Sequence, residues 1–230
     1  MAETVAANDV IVVCGTSITS FGWFEPLKAM VDGRFANKRN AAIARFPAVT
    51  RPVWQWQTST DTRPTWVSSG ISGNTAADIE GNVAGRITNY NPTMLILEVG
   101  VNDAYQAIAN ATFTTKYTSI ITQSRAAIPT LKIVCVGILC KGEDWPTGAN
   151  AYDTVATGID PKNVIIQDIA AANTATYVDV RTPWLAYVTD ANTAHAASGF
   201  WTSDDVHPNQ TGKIGMSTAV FASLTVPAAL

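Results

Sequence analysis

The stretch Val10-Ile11-Val12-Val13-Cys14-Gly15-Thr16-Ser17-Ile18-Thr19 decides the fold. Its short run of mainly β-branched residues is typical of a buried strand. Gly15 ends that run and permits a sharp turn, so Ser17 lies just beyond the carboxyl end of the strand. In open parallel α/β sheets, ligands bind in the crevice outside the strand ends. A hydroxyl in this place becomes a useful nucleophile only if another residue acts as its base.

Length and composition favour one globular domain spanning residues 1–230. Hydrophobic residues make up 47% of the chain and charged residues 14%, which is enough for a well-buried core. The net charge of -3 argues against nucleic acid as a partner. The sequence contains no apolar run of the ~18 residues that a membrane span requires.

Cysteine and histidine are too few and too scattered for a metal or disulfide framework. The chain has three cysteines, two histidines and no Cys-x-x-Cys pair, so we expect neither a zinc site nor a disulfide scaffold. Residues 1–9 lack the basic and apolar regions of a signal peptide. A secreted protein whose leader has been removed and a cytoplasmic protein both remain possible.

Strand-like and helix-like segments alternate along the chain. This alternation predicts a parallel sheet covered by helices on both faces. Residues 34–65 are interpreted as a long loop or short irregular strands, and residues 184–203 as a loop or short helix. The predicted strands are 10–15, 65–69, 94–99, 131–139 and 176–180. The predicted helices are 21–31, from 74 or 75 to about 89, 112–128, 161–172 and 211–224.

Chemistry-bearing residues follow three of these strands and precede the last helix. Ser17, Gly70 and Asn102 each follow a strand, while His207 precedes the final helix and Asp204 lies three residues before it. A histidine can take the serine proton, and an aspartate can orient the imidazole and stabilise its charged form. The backbone N–H groups of Ser17 and Gly70 and the side-chain amide of Asn102 are candidate donors to the developing oxyanion.

Four sequence blocks resemble the SGNH/GDSL hydrolase family. They are Gly15–Thr19, Gly70–Thr75, Gly100–Asp103 and Asp204–Pro208, in the family's order and spacing. The resemblance implies a flavodoxin-like, three-layer α/β/α fold with a five-stranded parallel sheet of order 2-1-3-4-5. It also implies ester hydrolysis with Ser17 as the nucleophile. We expect this reaction to need no metal or cofactor. Ser17, Gly70, Asn102, Asp204 and His207 occupy the positions of the family's catalytic residues.

One position departs from the family pattern, and several residues have simpler interpretations. Thr16 stands where the first block usually has aspartate; a threonine hydroxyl can form hydrogen bonds but carries no charge. Asp205 is the second choice for the acid because its spacing from the histidine is poorer. Gly73 is interpreted as a turn residue, Asp103 as a structural brace and His195 as a surface or loop residue.

The favoured function is hydrolysis of short-chain carboxylic esters through an acyl-enzyme, with O-acetylated carbohydrate as the preferred substrate. Tyr105, Trp145 and Trp201, together with Trp23, are candidates for an aromatic wall that stacks on sugar rings, although ordinary packing explains any one of them. The alternatives are a lipase, thioesterase or lysophospholipase of the same fold, and a carbohydrate-binding module with a decayed site. Fold alone does not decide among them.

Overall fold

A parallel sheet forms the centre of the molecule. The computed structural model describes residues 2–35, 44–45, 63–139, 155–190 and 206–227. Within these residues the sheet has the strand order β3-β4-β2-β5-β6-β7, and β1 and β8 form a separate parallel pair. The strands are β1 (Glu3–Thr4), β2 (Val10–Gly15), β3 (Ala44–Arg45), β4 (Thr65–Gly70), β5 (Met94–Glu98), β6 (Lys132–Val136), β7 (Thr176–Val178) and β8 (Leu224–Thr225).

The predicted fold class is confirmed. The five predicted strands correspond to β2, β4, β5, β6 and β7, and they lie side by side in the order 2-1-3-4-5. The short strand β3 adds a sixth member at the edge, beside β4. Strand β3 lies within residues 34–65, which the sequence predicted to form a long loop or short irregular strands.

Helices flank the sheet in two groups. The first group is α2 (Glu25–Asp32) packed on α9 (Gln210–Ala222). The second is α6 (Asn110–Ala127) packed on α3 (Ala76–Glu80) and α7 (Ile159–Ala172), as expected for a three-layer α/β/α arrangement. No helix in the described ranges is long and apolar enough to cross a membrane. The helices are α1 (Ser17–Ser20), α2 (Glu25–Asp32), α3 (Ala76–Glu80), α4 (Val83–Arg86), α5 (Val101–Tyr105), α6 (Asn110–Ala127), α7 (Ile159–Ala172), α8 (Arg181–Asp190) and α9 (Gln210–Ala222), with a 3-10 turn at Thr88–Tyr90.

Two predicted helices differ from the structure. The first, 21–31, begins later, as α2 at Glu25, and it is preceded by a turn and by the short helix α1, which Thr16 caps at Ser17. The second begins as predicted after Thr75, whose capping box with Asp78 starts α3. Asn82 then caps a new helix by accepting the Gly85 N–H at 3.1 Å, so the segment continues as α4.

Helix α1 lies directly against the ends of β2 and β4. Gly15 is paired with Gly70 on β4 and with Glu98 on β5. A β-carbon at Gly70 would lie 2.3 Å from the Ser20 backbone nitrogen, and one at Gly15 would lie 2.3 Å from Thr19 Oγ1. The absence of both side chains therefore allows α1 to sit on the strand ends and places Ser17 at this edge of the sheet.

We predict that Gly70→Ala destabilises the protein by about 1–3 kcal/mol, because the new methyl group meets fixed backbone. Gly81→Ala is the matched control, since a β-carbon there meets nothing closer than 3.4 Å and its φ of -66° suits alanine. Urea denaturation of the two variants and the wild type provides the comparison. Equal midpoints for Gly70→Ala and the wild type would show that α1 does not rest on this strand end.

Candidate active site

Ser17 is the first residue of α1, immediately after the turn that leaves β2. The Thr16 hydroxyl accepts the Ile18 N–H at 3.2 Å and so caps the helix. The Ser17 carbonyl accepts the Phe21 N–H at 2.8 Å and the Ser20 hydroxyl at 3.0 Å. The serine is only 8% exposed, so its backbone and surroundings are well fixed.

His207, which is 190 residues farther along the chain, lies next to Ser17. Its Nε2 atom lies 2.8 Å from the Ser17 hydroxyl oxygen, within hydrogen-bond distance. Asn209 caps the following helix, α9, by accepting the Gly212 N–H at 3.0 Å. The structure thus brings the predicted nucleophile and the predicted base within the distance over which a proton can be transferred.

Several predicted site residues lie outside the described part of the chain. They are Asp204, its rival Asp205, the aromatic residues Trp145 and Trp201, and His195. Their roles stay predictions from the sequence.

Asn102 lies on α5, directly after β5, and its side chain fastens a neighbouring loop. Its amide nitrogen donates to the Asn74 carbonyl at 2.9 Å. An asparagine amide carries two N–H groups, so one can hold this loop while the other serves a ligand. The carbonyl of Gly100, two residues earlier, accepts the Ala104 N–H at 2.8 Å and closes the first turn of α5.

The direction of the Gly70 N–H follows from strand pairing. The Ile71 N–H donates to the Gly15 carbonyl at 3.1 Å, so it points toward β2. Successive N–H groups on a strand point to opposite sides, which directs the Gly70 N–H toward the β3 side of β4. Gly73 lies farther along the same loop, is exposed, and adjoins the Asn74 residue held by Asn102. Because the Gly70 N–H points away from β2, the Gly73 N–H is a second candidate for the donor that this loop supplies to the oxyanion.

Arg86 is a buried cation that joins three segments beneath this edge. Its guanidinium donates to the Gly15 carbonyl at 3.0 Å, to the Ser69 hydroxyl at 3.0 Å and to the Ser69 carbonyl. It also donates to the side-chain oxygen of Asn74. The ends of β2 and β4 and the loop after β4 are therefore held by one planar side chain. Nothing in the sequence around Arg86 indicates this role, because its partners lie 12 to 71 residues away.

Glu98 is a buried carboxyl group on the opposite side of β2, and it binds the segment that carries Ser17. It accepts the Thr16 hydroxyl at 3.0 Å, the Thr16 N–H at 3.3 Å and the Thr19 hydroxyl at 3.0 Å. Burial raises the pKa of Glu98 to about 7, although these hydrogen bonds lower it. Thr16 is thus connected to a carboxyl group by its hydroxyl. The sequence offers one sign of this role, because Glu98 is an acidic residue at the end of an otherwise apolar strand.

Asp103 fixes the other end of the loop after β4. Its carboxylate oxygens accept the Ala76 N–H at 3.1 and 3.2 Å, at the start of α3. Burial raises the pKa of Asp103 to about 6, opposed chiefly by the Ala76 hydrogen bond and then by the nearby Lys162 charge. This geometry fits the predicted bracing role of Asp103.

The aromatic candidates differ in their exposure. Tyr105 is 55% exposed and lies three residues after Asn102 on α5, so the two share one side of that helix. Trp23 is fully buried and donates to the Thr19 hydroxyl at 3.2 Å. Trp23 therefore lies in the core and is not part of an aromatic wall, which agrees with the ordinary packing that the sequence favours for any one of these residues.

Comparisons with known proteins identify the family of the sequence and structures with a similar fold. A model of the GDSL-like lipase/acylhydrolase family matches residues 13–213. A Parabacteroides merdae ATCC 43184 protein assigned as a GDSL-like lipase superposes with a TM-score of 0.73 at 15% identity, covering 96% of this chain and 98% of that one. The acetyl xylan esterase AlAXEase gives 0.72 at 19% identity, covering 94% and 99%. A catalytic mutant of an acetylxylan esterase from Geobacillus stearothermophilus gives 0.69 at 15%, covering 96% and 95%. No curated protein sequence matches.

We predict that Glu98→Gln changes how stability depends on pH. In the unfolded chain Glu98 ionises near its ordinary pKa of 4.5, whereas in the folded protein it keeps its proton up to about 7. The folded wild type therefore loses stability as pH rises from about 4.5 to 7, and the glutamine variant lacks this loss. The variant's stability relative to wild type should rise across that range by an amount on the order of 2–3 kcal/mol.

Urea titrations at several pH values from 4.5 to 8 measure this difference. Asp103 titrates in the same direction in both proteins, so its contribution cancels in the comparison. A stability difference that is constant with pH would contradict the assignment of Glu98 as a group protonated by burial.

Proposed function

The chain belongs to the GDSL-like lipase/acylhydrolase family, and we propose that it is a serine esterase that acts through an acyl-enzyme. The observation that carries this proposal is the distance of 2.8 Å between Ser17 Oγ and His207 Nε2. A serine hydroxyl needs an adjacent base to become a nucleophile, and imidazole has its ordinary pKa near neutrality.

In the first step Ser17 attacks the ester carbonyl while His207 Nε2 takes the hydroxyl proton. The tetrahedral intermediate then collapses, and the imidazolium returns that proton to the departing alcohol oxygen. A water molecule attacks the remaining acyl-serine with His207 again as base, which releases the acid and restores Ser17. Asp204 is proposed to orient the imidazole and stabilise its charged form.

The developing oxyanion is proposed to be bound by three donors. They are the Ser17 N–H at the start of α1, the Asn102 amide and an N–H of the loop after β4. Gly70 is the candidate from the sequence, and Gly73 is the alternative on the same loop. Arg86, Asp103 and Asn102 hold that loop from different sides. Donors held in place before the reaction stabilise the transition state without reorganisation.

The favoured substrate is a short-chain ester, in particular an acetyl ester of a carbohydrate. Support comes from the acetylxylan esterases among the structures with this fold. The exposed Tyr105 beside Asn102 supplies an aromatic face of the kind that stacks on sugar rings. The competing substrates within the family are esters with long acyl chains.

We predict that the wild type hydrolyses p-nitrophenyl acetate at pH 7–8 and that Ser17→Ala and His207→Ala reduce kcat by about a thousandfold or more. Each variant removes one partner of the reacting pair. Asp204→Ala should cause a large loss, whereas Asp205→Ala should retain most of the activity. Initial-rate kinetics on all four variants provide the measurement.

His195→Ala serves as the control for the other histidine of the chain. Turnover that persists in Ser17→Ala would exclude this serine as the nucleophile. A greater loss in Asp205→Ala than in Asp204→Ala would reverse the assignment of the acid.

A further inference from the structure

We propose that Phe21 determines specificity by contacting the alcohol part of the ester, and that it favours alcohols with a broad apolar face, such as a sugar ring or an aryl group. The inference rests on the esterase function proposed above. Phe21 follows α1, four residues after the nucleophile. Its side chain is 51% exposed, and its ring centroid lies 4.7 Å from that of His207, with the two planes at 81°.

Two hydrogen bonds hold the backbone of Phe21, whose ring is exposed. Its N–H donates to the Ser17 carbonyl at 2.8 Å, and its carbonyl accepts the Lys213 ammonium of α9 at 2.6 Å. Both anchors belong to segments that also position the reacting pair. The apolar surface is thus presented beside the imidazole in a fixed place, where a ligand that covers it gains from removing it from water.

The chemistry of the reaction decides which part of the substrate meets this ring. When the intermediate collapses, the bond between the carbonyl carbon and the alcohol oxygen breaks, and the proton on His207 Nε2 moves to that oxygen. The alcohol oxygen must therefore approach Nε2 within hydrogen-bond distance. A ring in edge contact with the imidazole lies next to the alcohol group, while the acyl chain extends from the carbonyl carbon in another direction.

Two ester series separate this role from its alternatives. The first keeps the acetyl group and varies the alcohol: ethyl acetate, phenyl acetate and an acetylated methyl xyloside. The second keeps p-nitrophenol and varies the acyl group: acetate, butyrate and octanoate. The enzymes are the wild type, Phe21→Ala, Phe21→Leu and Phe21→Trp. Val164→Ala is the control, because it also shortens an exposed apolar side chain, one that is 56% exposed on α7.

We expect Phe21→Ala to lower kcat/KM for phenyl acetate and the xyloside by about tenfold relative to ethyl acetate, mainly through KM. The order of preference along the acyl series should not change. Phe21→Trp should restore the preference for broad alcohols, and Val164→Ala should behave as the wild type. Phe21→Leu, which keeps an apolar side chain for packing, gives the same test if the alanine variant does not fold.

Three results would overturn the inference. An equal loss of kcat on every ester would mean that Phe21 only positions His207. A changed preference along the acyl series would place the ring on the acyl side. Unchanged kinetics in Phe21→Ala would mean that the ring contacts neither part. These results differ from a failure of the proposed function, in which the wild type shows no Ser17-dependent turnover on any ester.

Discussion

Helix α1 crosses the ends of β2 and β4 so closely that neither Gly15 nor Gly70 can carry a side chain. This contact is the constraint from which the site follows. It brings the chain out of the central strand directly into a helix, and it places the first residue of that helix, Ser17, at the sheet edge. His207 can then approach from the opposite end of the chain, before α9, and meet a hydroxyl whose position the backbone has already set.

Two buried ionisable groups stabilise this edge from either side of β2. Arg86 holds the β4 side through carbonyl, hydroxyl and amide oxygens, and Glu98 holds the β5 side through Thr16 and Thr19. Buried polar groups of this kind are costly to the fold unless they are hydrogen-bonded, so each constrains the loops that satisfy it. The turn that carries Ser17 and the loop after β4 are consequently held by hydrogen bonds to Glu98 and Arg86.

The parallel sheet with helices on both faces, and the meeting of Ser17 with His207 at one of its edges, could be anticipated from local patterns, whereas the strand order was implied by the resemblance of the four blocks to the SGNH/GDSL hydrolase family. Apolar runs mark the strands, alternation with helices implies parallel pairing, and the four polar blocks fall at strand or helix ends. The hydrogen bonds of Arg86 and the ring contact of Phe21 with His207 could not be anticipated in this way. They depend on partners distant in sequence, such as Gly15 for Arg86 and His207 for Phe21. The ring of Trp23 lies in the core, so the residue does not belong to the aromatic wall considered for the group, and ordinary packing accounts for it.

If Ser17 is a nucleophile activated by His207, its hydroxyl can be captured covalently by a serine-reactive phosphorus compound. An alkyl fluorophosphonate reacts when a serine oxygen attacks phosphorus and fluoride leaves. We expect one added group per chain, located on Ser17 by peptide mass spectrometry, with labelling strongly slowed in His207→Ala. Ser20 and Ser72, whose hydroxyls lie 3.5 Å apart beside the same turn, serve as internal controls and should remain unlabelled. Labelling of another serine, or ester hydrolysis that continues with Ser17 fully modified, would exclude Ser17 as the nucleophile.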